Sequence, residues 1–210
     1  MIGHLRNEGY LKTPKVIEAF RSVPRELFVP EELRRNAYDD YPLPIGGGQT
    51  ISAPHMVAIM TELMEPKKGD KVLEIGTGSG WQAAVLSRLV RKVYSVELES
   101  QLVDFARANL RKAGITNVEV IRGDGSKGHA KSAPYDKIIV TCACHEVPKA
   151  LFGQLKVGGI LLAPVRGSWF QELKLYRKTK TGMEEENHGG VVFVPLRALH
   201  KNPESCGSLL

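Results

Sequence analysis

Between residues 71 and 164, short apolar runs alternate with amphipathic stretches, and no other feature constrains the fold as strongly. Lys71–Ile75 reads as a strand and residues 80–89 as a helix. Residues 92–96 read as the next strand, followed by a helix over Ser100–Lys112 that Gly114 ends. Strands are expected at 117–121, 136–141 and 160–164, with a short helix at 148–155 closed by Gly158 and Gly159. Strand–helix alternation at this spacing builds right-handed βαβ units and a parallel sheet with helices on both faces. The last quarter breaks the rhythm. Residues 171–179 and 190–195 read as two strands with no long helix between them, an expected antiparallel pair at one edge of the sheet. The expectation is therefore an α/β, Rossmann-like, doubly wound sheet.

Upstream of the alternation, residues 3–38 read as helical. Thr13 looks like an N-cap with Pro14 at the first helical position, and Val16, Ile17, Ala19 and Phe20 form an apolar face. A second helix is expected from Pro54, capped by Ser52 or Ala53, with Val57, Ile59, Met60, Leu63 and Met64 as its buried side. At 210 residues the chain is expected to be one domain: N-terminal helices and an active-site loop over 1–64, the core over 65–197, and a polar tail over 198–210.

Residues 41–61, YPLPIGGGQTISAPHMVAIMT, carry no Asp, Glu, Lys or Arg, although the chain is 25% charged and about five would be expected in such a window. Three Pro, three Gly and the polar Gln49, Thr50, Ser52 and His55 exclude a membrane span. The segment reads as irregular backbone meant to be covered, rich in neutral hydrogen-bonding groups. Just downstream lies VLEIGTGSG, a strand running into a glycine turn.

Open α/β sheets bind ligands at the carboxyl ends of their strands, where the chain order reverses. Gly76, Gly78 and Gly80 stand at such an end, where glycine permits a tight turn and close approach of a ligand. Glu97 ends the next strand, placed to accept two hydrogen bonds from the vicinal hydroxyls of a ribose. Asp124, in Arg122-Gly123-Asp124-Gly125, ends the third and is placed to accept an adenine amine. Glycine loop, ribose acid and adenine acid on three successive strands measure out an adenosine. The loop lacks the Gly-x-Gly-x-x-Gly spacing suited to pyrophosphate, and no Gly-Lys-Ser/Thr follows. An adenosine without phosphates points to S-adenosyl-L-methionine, with S-adenosyl-L-homocysteine as its product.

In order along the chain, PLPIGGGQTISAPHM, VLEIGTGSGWQAA, VELES, GDGSKG, APYDKIIVTCA, LKVGGILLAPV and GGVVFVPL resemble the protein-L-isoaspartate O-methyltransferase family from about residue 10 to 197. The glycine loop is shared by most Rossmann-like methyltransferases; QTISAPHM is far more specific to this family. The resemblance implies a seven-stranded methyltransferase sheet and methyl transfer to the α-carboxylate of isomerised aspartates in damaged proteins and peptides, a repair reaction. It implies that Ser52 is the active-site serine. It places cofactor contacts at Gln49, Thr50, Ile51, Ser52, Gly76, Thr77, Gly78, Ser79, Gly80, Glu97, Asp124 and Gly125, with Gln171 a further member.

The chemistry so implied suits a neutral loop. A carboxylate is already nucleophilic at neutral pH, and its attack on a sulfonium annihilates charge. Positioning and partial exclusion of water are then the expected sources of catalysis. Ser52 is expected to aim the acceptor oxygen. A cation clamped on that oxygen would quench it, and none lies in residues 41–61. His55 reads as structural, and His188 lies near the expected substrate wall. Backbone groups of residues 192–196 are expected to pair with an extended substrate peptide.

Three rival functions are weaker. A base-modifying methyltransferase would favour an Asp/Asn-Pro-Pro-aromatic segment after the fourth strand, where Thr-Cys-Ala-Cys-His stands. A nicotinamide oxidoreductase needs room for pyrophosphate, and bulky Trp81 follows the glycine loop. A non-catalytic adenosyl-binding module would have no use for the intact neutral loop with Ser52. Net charge is +6, but basic residues are interspersed with acids, so no nucleic-acid partner is expected. Cys142, Cys144 and Cys206 fit a reducing compartment, and the first two read as core thiols without a metal. The start MIGHLRNEGYLK has no signal-peptide core and no apolar run reaches 18 residues, so a cytoplasmic monomer without membrane contact is expected.

Overall fold

The alternation read from the sequence is present in the computed structural model, which describes residues 1–198. Helices α1 (Ile2–Asn7) and α2 (Pro14–Arg21) come first, followed by two 3-10 turns over Arg25–Phe28 and Glu31–Asn36. Strands β1 (Leu43–Gly46) and β2 (Gln49–Ile51) and helix α3 (Pro54–Leu63) complete the N-terminal layer. The core follows as β3 (Lys71–Ile75), α4 (Trp81–Ser87), β4 (Lys92–Glu97), α5 (Ser100–Lys112), β5 (Val118–Arg122), β6 (Tyr135–Val140), α6 (Lys149–Gln154) and β7 (Leu155–Arg166). Strands β8 (Gln171–Lys178) and β9 (Met183–Val191) end the sheet. The tail expected over 198–210, with Cys206, lies outside the described residues beyond position 198.

The sheet has the order β5-β4-β3-β6-β7-β8-β9, parallel through β7 and antiparallel at β8 and β9. The chain winds outward from β3 in one direction through β4 and β5, then returns to β6 on the other side. The order therefore reverses between β3 and β6, and their carboxyl ends frame a crevice. Alternate residues of these strands feed two apolar layers. Val72, Ile139, Ile160 and Leu162 join the cluster containing α2, α3, α4 and α5, while Leu73, Ile75, Ile138, Val140, Leu161 and Ala163 join a smaller one with Leu151 of α6. Period-two pleating puts every second side chain on each face, so a strand covered on both sides must be apolar throughout.

Several local expectations are corrected. Residues 43–51 are a β-hairpin rather than irregular backbone: Leu43 pairs with Ile51 and Gly46 with Gln49. Gly47 and Gly48, at φ +60° and +70°, make the two-residue connection, whose positive φ angles match strand twist. Thr13 does stand at the N-cap of α2, but its side chain caps nothing. Its backbone N–H and hydroxyl both donate to Glu62 of α3, tying the first helical layer to the third. In α3, Val57, Met60 and Met64 are buried, whereas Ile59 and Leu63 are only half-buried.

The fifth core strand is longer than expected. It begins at Leu155, so Gly158 and Gly159 lie within a strand and do not stop a helix. A side chain at Gly159 would meet the Asp136 carbonyl at 2.8 Å, which is why the strand needs glycine there. The last strand is the acidic run of β9, not residues 190–195. Lys174 and Arg177 on β8 pair with Glu185 and Glu186 on β9 at 2.6 and 3.1 Å, and these charges offset the poor strand propensity of the run.

Candidate active site

A cleft of about 860 Å3, measured out to its open mouth, lies where the strand order reverses. One wall is the carboxyl edge of the sheet: residues 75–79 after β3, 96–99 after β4, Gly125 after β5, and Thr141 and Cys142 after β6. The opposite wall is Gln49–Ser52 of the hairpin with Val57 and Met60 of α3 and Trp81 and Gln82 of α4. Residues 194–197 close the side.

The sheet-edge wall is built on backbone geometry. Gly76 has φ +93°, and a Cβ there would stand 2.6 Å from the Thr141 hydroxyl. That hydroxyl donates to the Gly76 carbonyl at 2.5 Å and so locks the turn to β6. The Glu97 carboxylate accepts Gly78 N–H at 2.9 Å on one oxygen, and Leu98 and Glu99 N–H at 2.8 and 3.1 Å on the other. Three charge-assisted bonds fix this acid before any ligand arrives. Glu74, one turn of the pleat beneath, is fully buried. It accepts from the Ser95 hydroxyl, which in turn meets Thr77 Oγ1 at 2.6 Å, and its Oε1 finds no partner among the described residues. Burial pushes the Glu74 carboxyl up to about 8, with the Glu97 charge adding to that and the Ser95 bond opposing it.

The hairpin wall depends on a residue that the sequence reading passed over. Arg25 is fully buried behind Ser52, and its Nη1 donates to the Ser52 carbonyl at 2.7 Å. Its guanidinium carbon lies 4.4 Å from the centroid of the Trp81 ring. Its Nε and Nη2 meet no hydrogen-bond acceptor among the described residues. Burial lowers its pKa to about 9, against the pull of Asp40, so it is charged at neutral pH. A desolvated cation costs several kcal/mol. A cation–π contact returns about 2 kcal/mol and a charged hydrogen bond about 1.5–3 kcal/mol. Arg25 therefore contributes little net stability. The expectation of a cation-free site holds for residues 41–61 themselves but not for what stands behind them. The available signal was slight: Arg25 stands between the apolar pairs Val23-Pro24 and Leu27-Phe28, but with Glu26 beside it.

Most expected site residues come together. Gln49, Thr50, Ile51, Ser52, Gly76, Thr77, Gly78, Ser79, Glu97 and Gly125 all line the cleft. Gly80 does not; it is the left-handed N-cap of α4, packed on Ala106. Asp124 also stays out of the wall. Its Oδ1 accepts Ser126 N–H at 3.0 Å and the Ser126 hydroxyl at 2.7 Å, turning the chain so that Gly125 fronts the cleft. Gln171 does not line the cleft either: its carboxamide accepts the Phe193 N–H at 2.6 Å and donates to the Phe193 carbonyl at 3.0 Å.

Where strand addition is expected, at residues 192–196, part of the backbone is already engaged: Ala143 N–H donates to the Val194 carbonyl at 2.8 Å, Leu196 N–H donates to the Ala143 carbonyl at 2.7 Å, and Phe193 is held by Gln171. His55 binds Asp40 through both its backbone N–H and its ring, and His188 meets Glu186 at 3.5 Å; neither lines the cleft. Cys142 and Cys144 are buried, and burial pushes both thiols up, Cys144 to about 11, as suits inert side chains. Among the described residues no group of three or more His, Cys, Asp or Glu side chains could hold a metal ion, and no helix is long and apolar enough to cross a membrane.

The residues present fit an adenosyl cofactor bearing an ammonium group. Glu97 keeps lone pairs beyond the three it uses. Gln82, 8% exposed in the wall, donates through Nε2 to Thr61 at 3.0 Å and leaves its Oε1 acceptor without a partner among the described residues. The hairpin itself carries no charge, but Arg197 also lines the cleft: its Nη2 lies 3.5 Å from where a Gly48 Cβ would stand, and its Nη1 pairs with Glu99 at 3.3 Å.

Comparison with known proteins agrees. The chain is 52% identical over 201 residues to the protein-L-isoaspartate O-methyltransferase of Methanopyrus kandleri, covering 93% of this chain and 89% of that one. It is 54% identical over 200 residues to that of Ignicoccus hospitalis, covering 93% and 95%. A solved structure from Plasmodium falciparum, in complex with S-adenosyl-L-homocysteine, superposes with a TM-score of 0.84 at 25% identity, covering 93% of this chain and 96% of that one. Residues 1–201 match the family model described as protein-L-isoaspartate(D-aspartate) O-methyltransferase, and the chain belongs to that family.

Proposed function

We propose that this protein transfers a methyl group from S-adenosyl-L-methionine to the free α-carboxylate of L-isoaspartyl residues in damaged proteins and peptides. The observation that carries this reading is Ser52: it lines the cleft opposite the glycine turn, and no hydrogen bond ties its hydroxyl to any described residue. When bound, the cofactor supplies an electrophilic sulfonium methyl. Glu97 would hold the ribose hydroxyls on its remaining lone pairs. Leu98, Glu99 and Gly125 would frame the adenine, and Asp124, just past the end of β5, would hold the turn that presents Gly125. Gln82 Oε1 would accept from the ammonium group.

Ser52 donates its hydroxyl hydrogen to one acceptor oxygen and leaves the other directed at the methyl. The O–CH3 bond forms as the S–CH3 bond breaks, with the electron pair leaving on sulfur. No proton moves, so a cleft without a general base is sufficient. The apolar Ile51, Val57, Met60 and Trp81 keep water from the reacting pair, which favours a step that annihilates charge. The ester then closes to a succinimide without further help, and hydrolysis returns part of the material as ordinary aspartate. We read the protein as a single-domain, cytoplasmic monomer with no nucleic-acid partner, because its basic residues are dispersed among acids.

The test uses methyl-labelled S-adenosyl-L-methionine and paired peptides that differ only in normal or isomerised aspartate. Base-labile label on the isomerised peptide alone is the expected result. Label on both peptides, or base-stable label, would overturn the reading.

A further inference from the structure

We infer that Arg25 is a positioning residue for the anionic acceptor: a buried positive charge, one layer behind Ser52, that draws the substrate carboxylate into the hairpin end of the cleft. The inference rests on the carboxylate-methylating reading above and names a residue that this reading does not use.

Three observations converge. The guanidinium touches two elements of the same wall, the Ser52 carbonyl at 2.7 Å and the Trp81 ring at 4.4 Å. Two of its three nitrogens have no acceptor among the described residues, so its charge is not neutralised by a contacting carboxylate. The acid whose field reaches it, Asp40, is hydrogen-bonded to His55 at 2.9 Å and lies 3.6 Å from His4. A charge left uncompensated in a low-dielectric wall projects its field into the adjoining cavity.

Its placement one layer back has a chemical consequence. A cation in contact with the acceptor oxygen would occupy the lone pair that must attack. A cation behind a peptide carbonyl and an aromatic ring attracts the anion and leaves that lone pair free. Because the reaction consumes the negative charge, this attraction is felt more by the bound carboxylate than by the transition state. Arg25 should therefore govern KM more than kcat.

The decisive measurement compares two ligands: the isoaspartyl peptide, and the same peptide with its α-carboxylate replaced by a carboxamide, used as a competitive inhibitor. Wild-type methylation of the first is the separate control for the substrate reading. In Arg25→Gln, KM for the carboxylate peptide is expected to rise about tenfold, while the Ki of the carboxamide and the Kd of S-adenosyl-L-homocysteine stay within about twofold. Arg25→Lys keeps the charge and is expected to restore most of the preference for carboxylate. A merely structural role would weaken both peptides alike, and that result would overturn the inference. Should Arg25→Gln fail to bind S-adenosyl-L-homocysteine, Arg25→Lys decides alone. Carboxylate preference within about threefold of wild type supports the charge, and a tenfold loss overturns it.

Discussion

The two walls of the cleft are made by different means. The sheet-edge wall is redundant: Glu97 has three backbone donors, Gly76 is locked to Thr141, and each turn follows directly from a strand end. The hairpin wall is assembled from distant pieces. A three-residue strand, the start of α3 and a buried Arg from an early 3-10 turn meet only in the folded chain. A wall of the first kind suits a ligand that never varies, and one of the second kind suits a site whose partners differ. Substitutions on the two sides should accordingly move different quantities.

The largest expected effect is at Ser52. Ser52→Ala should lower turnover about 100-fold while leaving S-adenosyl-L-homocysteine affinity within about twofold, since misaimed acceptors lose rate rather than cofactor binding. Single-turnover kinetics beside calorimetry would test it, and a parallel fall in both would erase the distinction between the walls. The mirror experiment is Glu97→Ala, expected to weaken S-adenosyl-L-homocysteine binding by at least about tenfold, as loss of charged hydrogen bonds implies. Equal calorimetric affinity would refute the ribose role. Gly76→Ala sharpens the contrast through stability: a Cβ 2.6 Å from the Thr141 hydroxyl at φ +93° should cost about 1–3 kcal/mol, read as a lower Tm.

Glu74 offers a pH test of the same wall. Its carboxyl is raised to about 8 in the folded protein, so the folded state holds a proton that the unfolded chain has lost. Its stabilising contribution is thus full below about 4.5 and declines as pH rises through about 8. Glu74→Gln should flatten the fall of Tm between pH 5 and pH 8; an unchanged slope would show that another group controls it. The smallest effect is expected at Gln171. Gln171→Ala should leave S-adenosyl-L-homocysteine affinity unchanged within about twofold, because its carboxamide holds Phe193 and does not reach the cleft. A marked loss by calorimetry would return it to the cofactor site.

What the sequence disclosed follows the same division. Glu97 and the glycines were legible because a strand, a turn and an acid are neighbours in the chain, and local order is what periodicity reports. Arg25 was not, since its partner Ser52 is far along the chain and a buried charge looks like any surface Arg until its surroundings are known. The bonds from Gln171 to Phe193 were hidden for the same reason, since the two residues are distant in sequence. The Gly47-Gly48 turn is legible in the sequence, as two glycines between apolar runs signal a hairpin. Strand β9 was hidden by its acids, which only the facing Lys174 and Arg177 make tolerable.

That acidic strand has a consequence for the company the protein keeps. β9 is the outermost strand of the sheet, and Glu184, Glu185 and Glu186 are solvent-exposed. A bare sheet margin recruits any extended chain it meets, and aged, partly unfolded polypeptides offer many. Ringed by like charges, this margin gives an approaching chain no greasy ladder to climb. The flank of the sheet is thereby guarded against the strand pairing that unravelled chains offer.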